Sequence, residues 1–313
     1  KILRLSLLHP TLKIWFLTFL IGASNTKLIA VGSNSNKKYR DYKIFSYDEV
    51  LKNENIDAIY IATLNNSHID LIKKACVSKK KILCEKPVSM NLNELNEIKD
   101  NFIADKNCFY EAIAYYSHPQ TAEILNIIKN NEIGEIVKIE CSFGFKAKFN
   151  PTSRLFNKDL GGGAIYDLGC YPLSFAMLFS KNPKNIKINK KELEFSSSGV
   201  DDDAKATLIC DNNYECSIHV SIKNNLKNTC KIQGSNGYIN VISPWLPGKK
   251  TQIEISNNNH FYVKTIETNL SVYANQIDNI SNAFSNKNSN TSNLFDIDKS
   301  LINMNLIENW LQK

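Results

Sequence analysis

Short apolar runs and amphipathic stretches alternate over the first third of the chain. Runs at residues 2–8, 28–32, 58–63, 82–84 and 108–112 read as strands, and that alternation predicts a parallel sheet covered by helices. Two helix starts are marked between them. Ser46 with Glu49, and Asn91 with Glu94, put a side-chain oxygen and a carboxylate where the free amides of a first turn need acceptors. The pattern predicts a doubly wound α/β domain whose ligands sit beyond the carboxyl ends of the strands.

After about residue 117 the rhythm changes. A helix over 120–129 leads into an alternating strand over 136–145, and an apolar helix from 164 to about 178 follows the break at Gly161, Gly162 and Gly163. From 185 to 265 short alternating runs are separated by Asp211-Asn212-Asn213, Gly234-Ser235-Asn236-Gly237 and Pro247-Gly248, which reads as an antiparallel sheet of hairpins. Helices near 273–284 and 297–311, joined by a polar 285–293 loop, close the chain. The expected domains are 1–117 and 118–313.

A chain of 313 residues has room for both. Its formal charge is +7, but only Arg4, Arg40 and Arg154 among the 38 basic residues are arginines. Scattered lysine argues for a solvated surface and against a nucleic-acid groove, which needs arginine forks. The eight cysteines show no C-x-x-C spacing, and reduced core thiols in a cytoplasmic protein are expected. The five histidines form no ligand set, so no metal site is expected. The apolar stretch 14–23 after Lys13 is too short to cross a membrane. It reads as the buried helix of a βαβ opening, with a signal peptide as the alternative. Lys1 stands where an initiator Met is missing, so a start upstream is open.

Two segments carry candidate chemistry. Glu85-Lys86-Pro87 follows the strand 82–84, and a lysine at the carboxyl end of a central parallel strand faces the ligand crevice. The alternative is a surface lysine in a lysine-rich chain. In Gly161-Gly162-Gly163-Ala164-Ile165-Tyr166-Asp167-Leu168-Gly169-Cys170-Tyr171, a helix starting near Gly163 would put Asp167 and Tyr171 on one face. The glycines would let a backbone or a ligand come close. A phenol titrates at about 10, and a nearby ammonium such as that of Lys86 stabilises its anion. The alternative here is a core tyrosine with a capping aspartate. Arg154, in the loop before the glycines, suits a substrate carboxylate or phosphate, or else the surface.

Glu85-Lys86-Pro87, Glu111-Ala112, Tyr115, His118-Pro119-Gln120, Ile133-Gly134-Glu135, the glycine run with Asp167, Gly169 and Tyr171, Gly199-Val200-Asp201 and Ser300-Leu301-Ile302-Asn303-Met304 together resemble the glucose-fructose oxidoreductase and inositol dehydrogenase family. The likeness is nearest its dihydrodiol dehydrogenase and NADP-dependent xylose dehydrogenase branch. It implies a nicotinamide-binding Rossmann domain and a C-terminal domain built on an open, mainly antiparallel sheet with covering helices, often used in dimer or tetramer contacts. By resemblance, Lys86 matches the catalytic lysine, Tyr171 the proton donor or acceptor, and Asp167 the acid that orients substrate or base. Thr63, Asn65 and His68 match the turn that lies along the cofactor, with Leu64 in place of proline, and Glu85 and Lys86 lie there too. The implied substrate is a small sugar, polyol or diol, with no nucleic acid or membrane partner, in a homodimer or homotetramer.

Ser33 and Asn34, at the end of the second strand, are expected to meet the cofactor. With no Asp or Glu there to receive ribose hydroxyls, NADP is favoured, NAD remaining possible. The first turn departs from the family. His9, Thr11 and Ile14 occupy the places of its glycines, Pro10 removes a donor, and Tyr116 stands where relatives often carry Arg. A side chain at that turn obstructs phosphate approach to the helix start. Two further readings follow: a non-catalytic binding or scaffold member of the family, and an active enzyme with an altered N-terminus.

Overall fold

The computed structural model describes residues 2–9, 23–33, 44–103, 105–211, 214–257, 260–285 and 291–312. The helix predicted from 14, the glycine-free turn beyond His9, and Asn34 lie outside them, apart from the helix's last residue, Ala23. The chain divides into two compact units: residues 1–117 with 270–301, and residues 118–269 with 302–313. The segment 270–301, placed with the second domain from the sequence, therefore packs with the first.

The first unit is built on six parallel strands, β1 (Leu3–Leu8), β2 (Thr26–Gly32), β3 (Ile44–Phe45), β4 (Ala58–Ile61), β5 (Lys81–Cys84) and β6 (Phe109–Glu111), in the order β3-β2-β1-β4-β5-β6. Helix α1 (Tyr47–Lys52) starts at the predicted Ser46 box, where Ser46 Oγ accepts from the Glu49 amide and Glu49 accepts from the Ser46 amide. Helix α2 (His68–Val77) packs on β4 and β5, and α3 (Leu92–Asn101) is capped by Asn91 as expected. The other sheet face presents Leu3, Leu5, Leu7, Tyr60, Leu83 and Tyr110. That face is closed by Ile277, Ile280, Ala283 and Phe284 of α6 (Val272–Ser285) and by Leu294. An amphipathic helix must bury its apolar stripe somewhere, and this sheet face supplies the area.

The second unit holds α4 (Pro119–Lys129), α5 (Cys170–Phe179) and an eight-stranded sheet. Its strands are β7 (Ile136–Gly144), β8 (Lys187–Phe195), β9 (Asp201–Cys210), β10 (Tyr214–Ser221), β11 (Thr229–Gly234), β12 (Gly237–Ile242), β13 (Lys250–Asn257) and β14 (Phe261–Glu267). Their order is β14-β13-β12-β11-β7-β10-β9-β8, antiparallel throughout except where β7 meets β10. In β7, alternation sorts the strand into a buried row, Ile139, Cys141 and Phe143, and an outer polar row, Lys138, Glu140 and Ser142. The last helix, α7 (Ile297–Leu311), ends in this unit, where Trp310 donates to the Lys205 carbonyl at 3.1 Å. Among the described residues no cysteine is in a disulfide, and six of the eight are buried. No helix among the described residues is long and apolar enough to cross a membrane.

Candidate active site

In the first unit the register levels the strand ends. Phe45, Gly32, Leu8, Ile61, Cys84 and Glu111 are successive partners across the sheet. The next residues continue the row: His9 N–H donates to Gly32 (3.0 Å), Ala62 to Leu8 (2.9 Å), Glu85 to Ile61 (2.8 Å) and Ala112 to Cys84 (2.7 Å). The chain thus forms one even crest at the carboxyl edge, and strand order reverses between β1 and β4. Such a reversal leaves a crevice suited to an extended dinucleotide. Ser33 lies on this crest, its amide donating to the Phe45 carbonyl at 2.9 Å. Of the places where glycine is expected in the first turn, only His9 is described.

Thr63, Asn65 and His68 follow β4. The Ser67 hydroxyl donates to Thr63 Oγ1 at 2.7 Å, and Asn65 opens a single 3-10 turn. His68 is fully enclosed, with Nδ1 at 3.0 Å from the Pro87 carbonyl and Nε2 at 3.3 Å from that of Thr63. Burial, joined by the Lys86 charge, lowers its pKa to about 4 although both carbonyls favour the proton. A ring so enclosed ties the turn after β4 to the turn after β5.

That second turn carries Glu85 and Lys86. The Tyr60 hydroxyl donates to the Glu85 carboxylate, which also accepts from the Lys86 amide at 3.3 Å. The Lys86–Pro87 peptide is cis. Two residues on, the Val88 amide donates to Glu111 Oε1 at 3.1 Å. Tyr60 and Glu111 are partners that sequence reasoning left without a role. Glu111 lies in a segment that carries the family resemblance, but only the strand register reveals what it holds.

The second unit contains Arg154, Asp167 and Tyr171. The glycines are required by this unit's own chain: a Cβ on Gly162 would lie 2.8 Å from two carbonyl oxygens, and one on Gly163 would lie 2.2 Å from Asp201 Oδ1. The expected continuous α-helix is modified. The segment opens as a π-helical turn over Ile165–Gly169 before α5 begins at Cys170. Pro172 has no N–H to give the Leu168 carbonyl and its ring crowds that oxygen, which favours a wider turn. Asp167 lies in that turn, mostly buried, with Arg154 Nη1 at 2.8 Å from Oδ1. Arg154 is therefore already paired with a carboxylate of its own unit. Tyr171, in the first turn of α5, meets Phe143 edge-on at 5.3 Å and lies 6.4 Å from Trp245. Both aromatic neighbours come from distant sequence and carried no signal there.

An open cavity of about 430 Å³ on the outer face of the same sheet is lined by Glu140, Lys190, Thr207, His219 and Lys231, among others, and includes none of the sequence-predicted residues. Among the described residues no group of three His, Cys, Asp or Glu side chains is placed to hold a metal ion.

Comparison with known proteins agrees with the two-part architecture. Residues 17–132 match the oxidoreductase family with an NAD-binding Rossmann fold, and residues 121–240 match the GFO/IDH/MocA C-terminal domain. An uncharacterized oxidoreductase of Rhizobium meliloti is 30% identical over 235 residues, 74% of this chain and 69% of that protein. The trans-1,2-dihydrobenzene-1,2-diol dehydrogenase of Xenopus tropicalis is 28% identical over 67% of this chain, and the match spans 65% of that enzyme's length. An NADP⁺-dependent D-xylose 1-dehydrogenase of Haloferax volcanii is 30% identical over 45% of this chain and 43% of its own. Among solved structures, a 3-ketoreductase from Actinomadura kijaniata in complex with NADP and TDP-benzene superposes with a TM-score of 0.86 at 19% identity, covering 98% of this chain and 96% of that one. An aldose-aldose oxidoreductase from Caulobacter crescentus gives 0.85 at 17%, with the same coverage. At such identities the superpositions establish the fold.

Proposed function

This chain belongs to the GFO/IDH/MocA oxidoreductase family, and from that premise we propose that it transfers a hydride between NADP, or NAD, and a carbinol carbon of a sugar, polyol or related diol. The observation that supports this most is the level crest of the parallel sheet with the Lys86 turn tied into it. Ser33, Thr63, Asn65, Glu85 and Lys86 would hold the dinucleotide along that crest, with Asn34 expected beside them. When bound, the dinucleotide supplies the carbon that gives or accepts the hydride.

Tyr171 takes the hydroxyl proton of the carbinol in oxidation and returns it in reduction, since hydride cannot leave that carbon until the oxygen sheds its proton. Lys86 contributes a positive charge that favours the phenolate. Asp167, its carboxylate oriented by Arg154, accepts a substrate hydroxyl and fixes which carbon is presented. The protein's contribution is position and charge.

The direct test is a fluorescence titration with NADPH and with NADH. Saturable binding of either is expected; no binding at millimolar concentration would sink the proposal and favour the non-catalytic reading that His9 invites.

A further inference from the structure

We propose that His68 and Glu111 are positioning residues that grip one peptide plane, Pro87–Val88, from its two edges and so fix Lys86 just before it. The inference rests on Lys86 having the role given above. The carbonyl of Pro87 and the amide of Val88 belong to the same peptide group. His68 Nδ1 lies 3.0 Å from that carbonyl and Glu111 Oε1 lies 3.1 Å from that amide nitrogen. Both gripping side chains are buried, as is Val88. His68 must carry its proton on Nδ1 to donate, and Glu111 must offer an acceptor. One plane held at both edges cannot rotate, and the lysine beside it is fixed in turn.

The sheet register makes the grip local. Glu111 ends β6 directly opposite Cys84, the last residue of β5, so the turn departs beside it. The Glu111 amide is itself held by the Phe295 carbonyl at 2.8 Å. Its second oxygen, Oε2, is buried without a hydrogen-bond partner. The Ser300 hydroxyl adjoins this carboxyl, but it donates to the Asp296 carbonyl at 3.1 Å. Burial pushes Glu111 up to about 7, Glu85 adds to the rise, and the Ser300 hydroxyl, the Val88 amide and Lys86 oppose it. The charged and titratable groups acting at this point are Cys84, Glu85 and Lys86, together with His68 across the peptide. Grip and lysine are thus linked to the protonation of Glu111.

Two variants test the grip. Glu111→Gln keeps an acceptor for Val88, whereas Glu111→Leu removes it. In amide hydrogen exchange, Val88 should remain protected in Glu111→Gln and exchange at least ~10-fold faster in Glu111→Leu. With aldoses or trans-diols and NADP⁺, Glu111→Leu should lower kcat about 10-fold or more with the coenzyme KM nearly unchanged. Glu111→Gln should keep most of kcat at neutral pH and lose the limb of the pH profile near 7. Unchanged Val88 exchange in the leucine variant overturns the grip. Freed exchange with full turnover overturns the positioning role. If Glu111→Leu fails to fold, the pH profile of Glu111→Gln decides. Should the wild-type protein bind no nicotinamide, the proposed function fails; Val88 exchange and the rate of Lys86 acylation by acetic anhydride, followed by mass spectrometry, then judge the grip alone.

Discussion

Asp201 accepts a hydrogen bond from the Ile165 amide at 2.7 Å, so a carboxylate at the start of β9 anchors the turn that carries Asp167. The same carboxylate occupies the space beside Gly163, whose φ is 123°. Alanine there meets both a strained backbone and an oxygen 2.2 Å from its Cβ. Gly163→Ala should cost roughly 2–4 kcal/mol in urea unfolding. Gly199→Ala is the control. Its φ is 81° with nothing within 4 Å of the new carbon, so it should cost only about 1 kcal/mol. Equal losses would show that the Asp201 contact contributes nothing.

Burial raises Asp201 to about 7, against amide donors that favour its ionised form. An unfolded aspartate titrates near 3.9. The folded protein therefore binds this proton more tightly. The stabilisation is fully present below about pH 4 and is lost as pH climbs through 7, by an amount on the order of 4 kcal/mol. Asp201→Asn retains an acceptor for Ile165 and should flatten the fall in the urea midpoint between pH 4 and 7. The flattening is expected to be partial, because Glu111 titrates in the same window.

His68 acts in the opposite direction. Its pKa is lowered to about 4, chiefly by burial, while an unfolded histidine titrates near 6.5. Stability from the neutral ring is present above pH 6.5 and is lost as pH falls through 4, by about 3 kcal/mol. Chemical unfolding of His68→Asn between pH 7 and 4 should show a shallower acid loss than wild type, from a lower starting stability. An identical acid slope would remove His68 from the account.

Much of the first unit was legible because its strands are short apolar runs punctuated by caps, as the Ser46–Glu49 box illustrates. The two residues of β3 are too short to leave a periodic signal. Helix α6 was legible as a helix but not as a cover for the first sheet, since an apolar stripe such as Ile277, Ile280 and Phe284 does not specify its partner. Lys86 and Tyr171 stood out through spacing and resemblance. The hold on Pro87–Val88 did not, because it depends on a strand register that brings Glu111 beside a residue 23 positions away. The π-helical turn was only partly legible: Pro172 stands in the sequence beside it, but the anchor, Asp201, lies 36 residues from Ile165.

Arg154 pairs with Asp167 at 2.8 Å while its own side chain is half exposed. Screening by water keeps such a pair below about 1 kcal/mol, so Arg154→Ala should barely change the urea midpoint. Asp167, in contrast, loses the group that orients it. Under the proposed function, the substrate KM should rise about 10-fold with a smaller change in kcat, and Arg154→Lys should recover part of it. In Asp167→Asn the same arginine change should have little further effect, since residues acting through one contact are not additive. An undiminished second effect would show that Arg154 acts elsewhere.

Lys86→Ala and Tyr171→Phe separate chemistry from binding. Lys86 lies in the turn after β5, and Tyr171 lies against Phe143 in the second unit. Tyr171→Phe removes one oxygen and leaves the ring's edge-on packing intact, so the unfolding midpoint should hold. General acid–base steps contribute about 10²–10⁴-fold, and kcat should fall by at least the lower figure. Under the proposed function NADPH affinity should stay within about threefold, because the phenol would act on the substrate proton. Lys86→Ala should also lower kcat, and the double variant should be scarcely worse than the slower single one if charge and phenol serve one proton transfer. Stopped-flow measurement of NADPH oxidation would check this. Losses that multiply would mean that the lysine and the phenol serve separate steps.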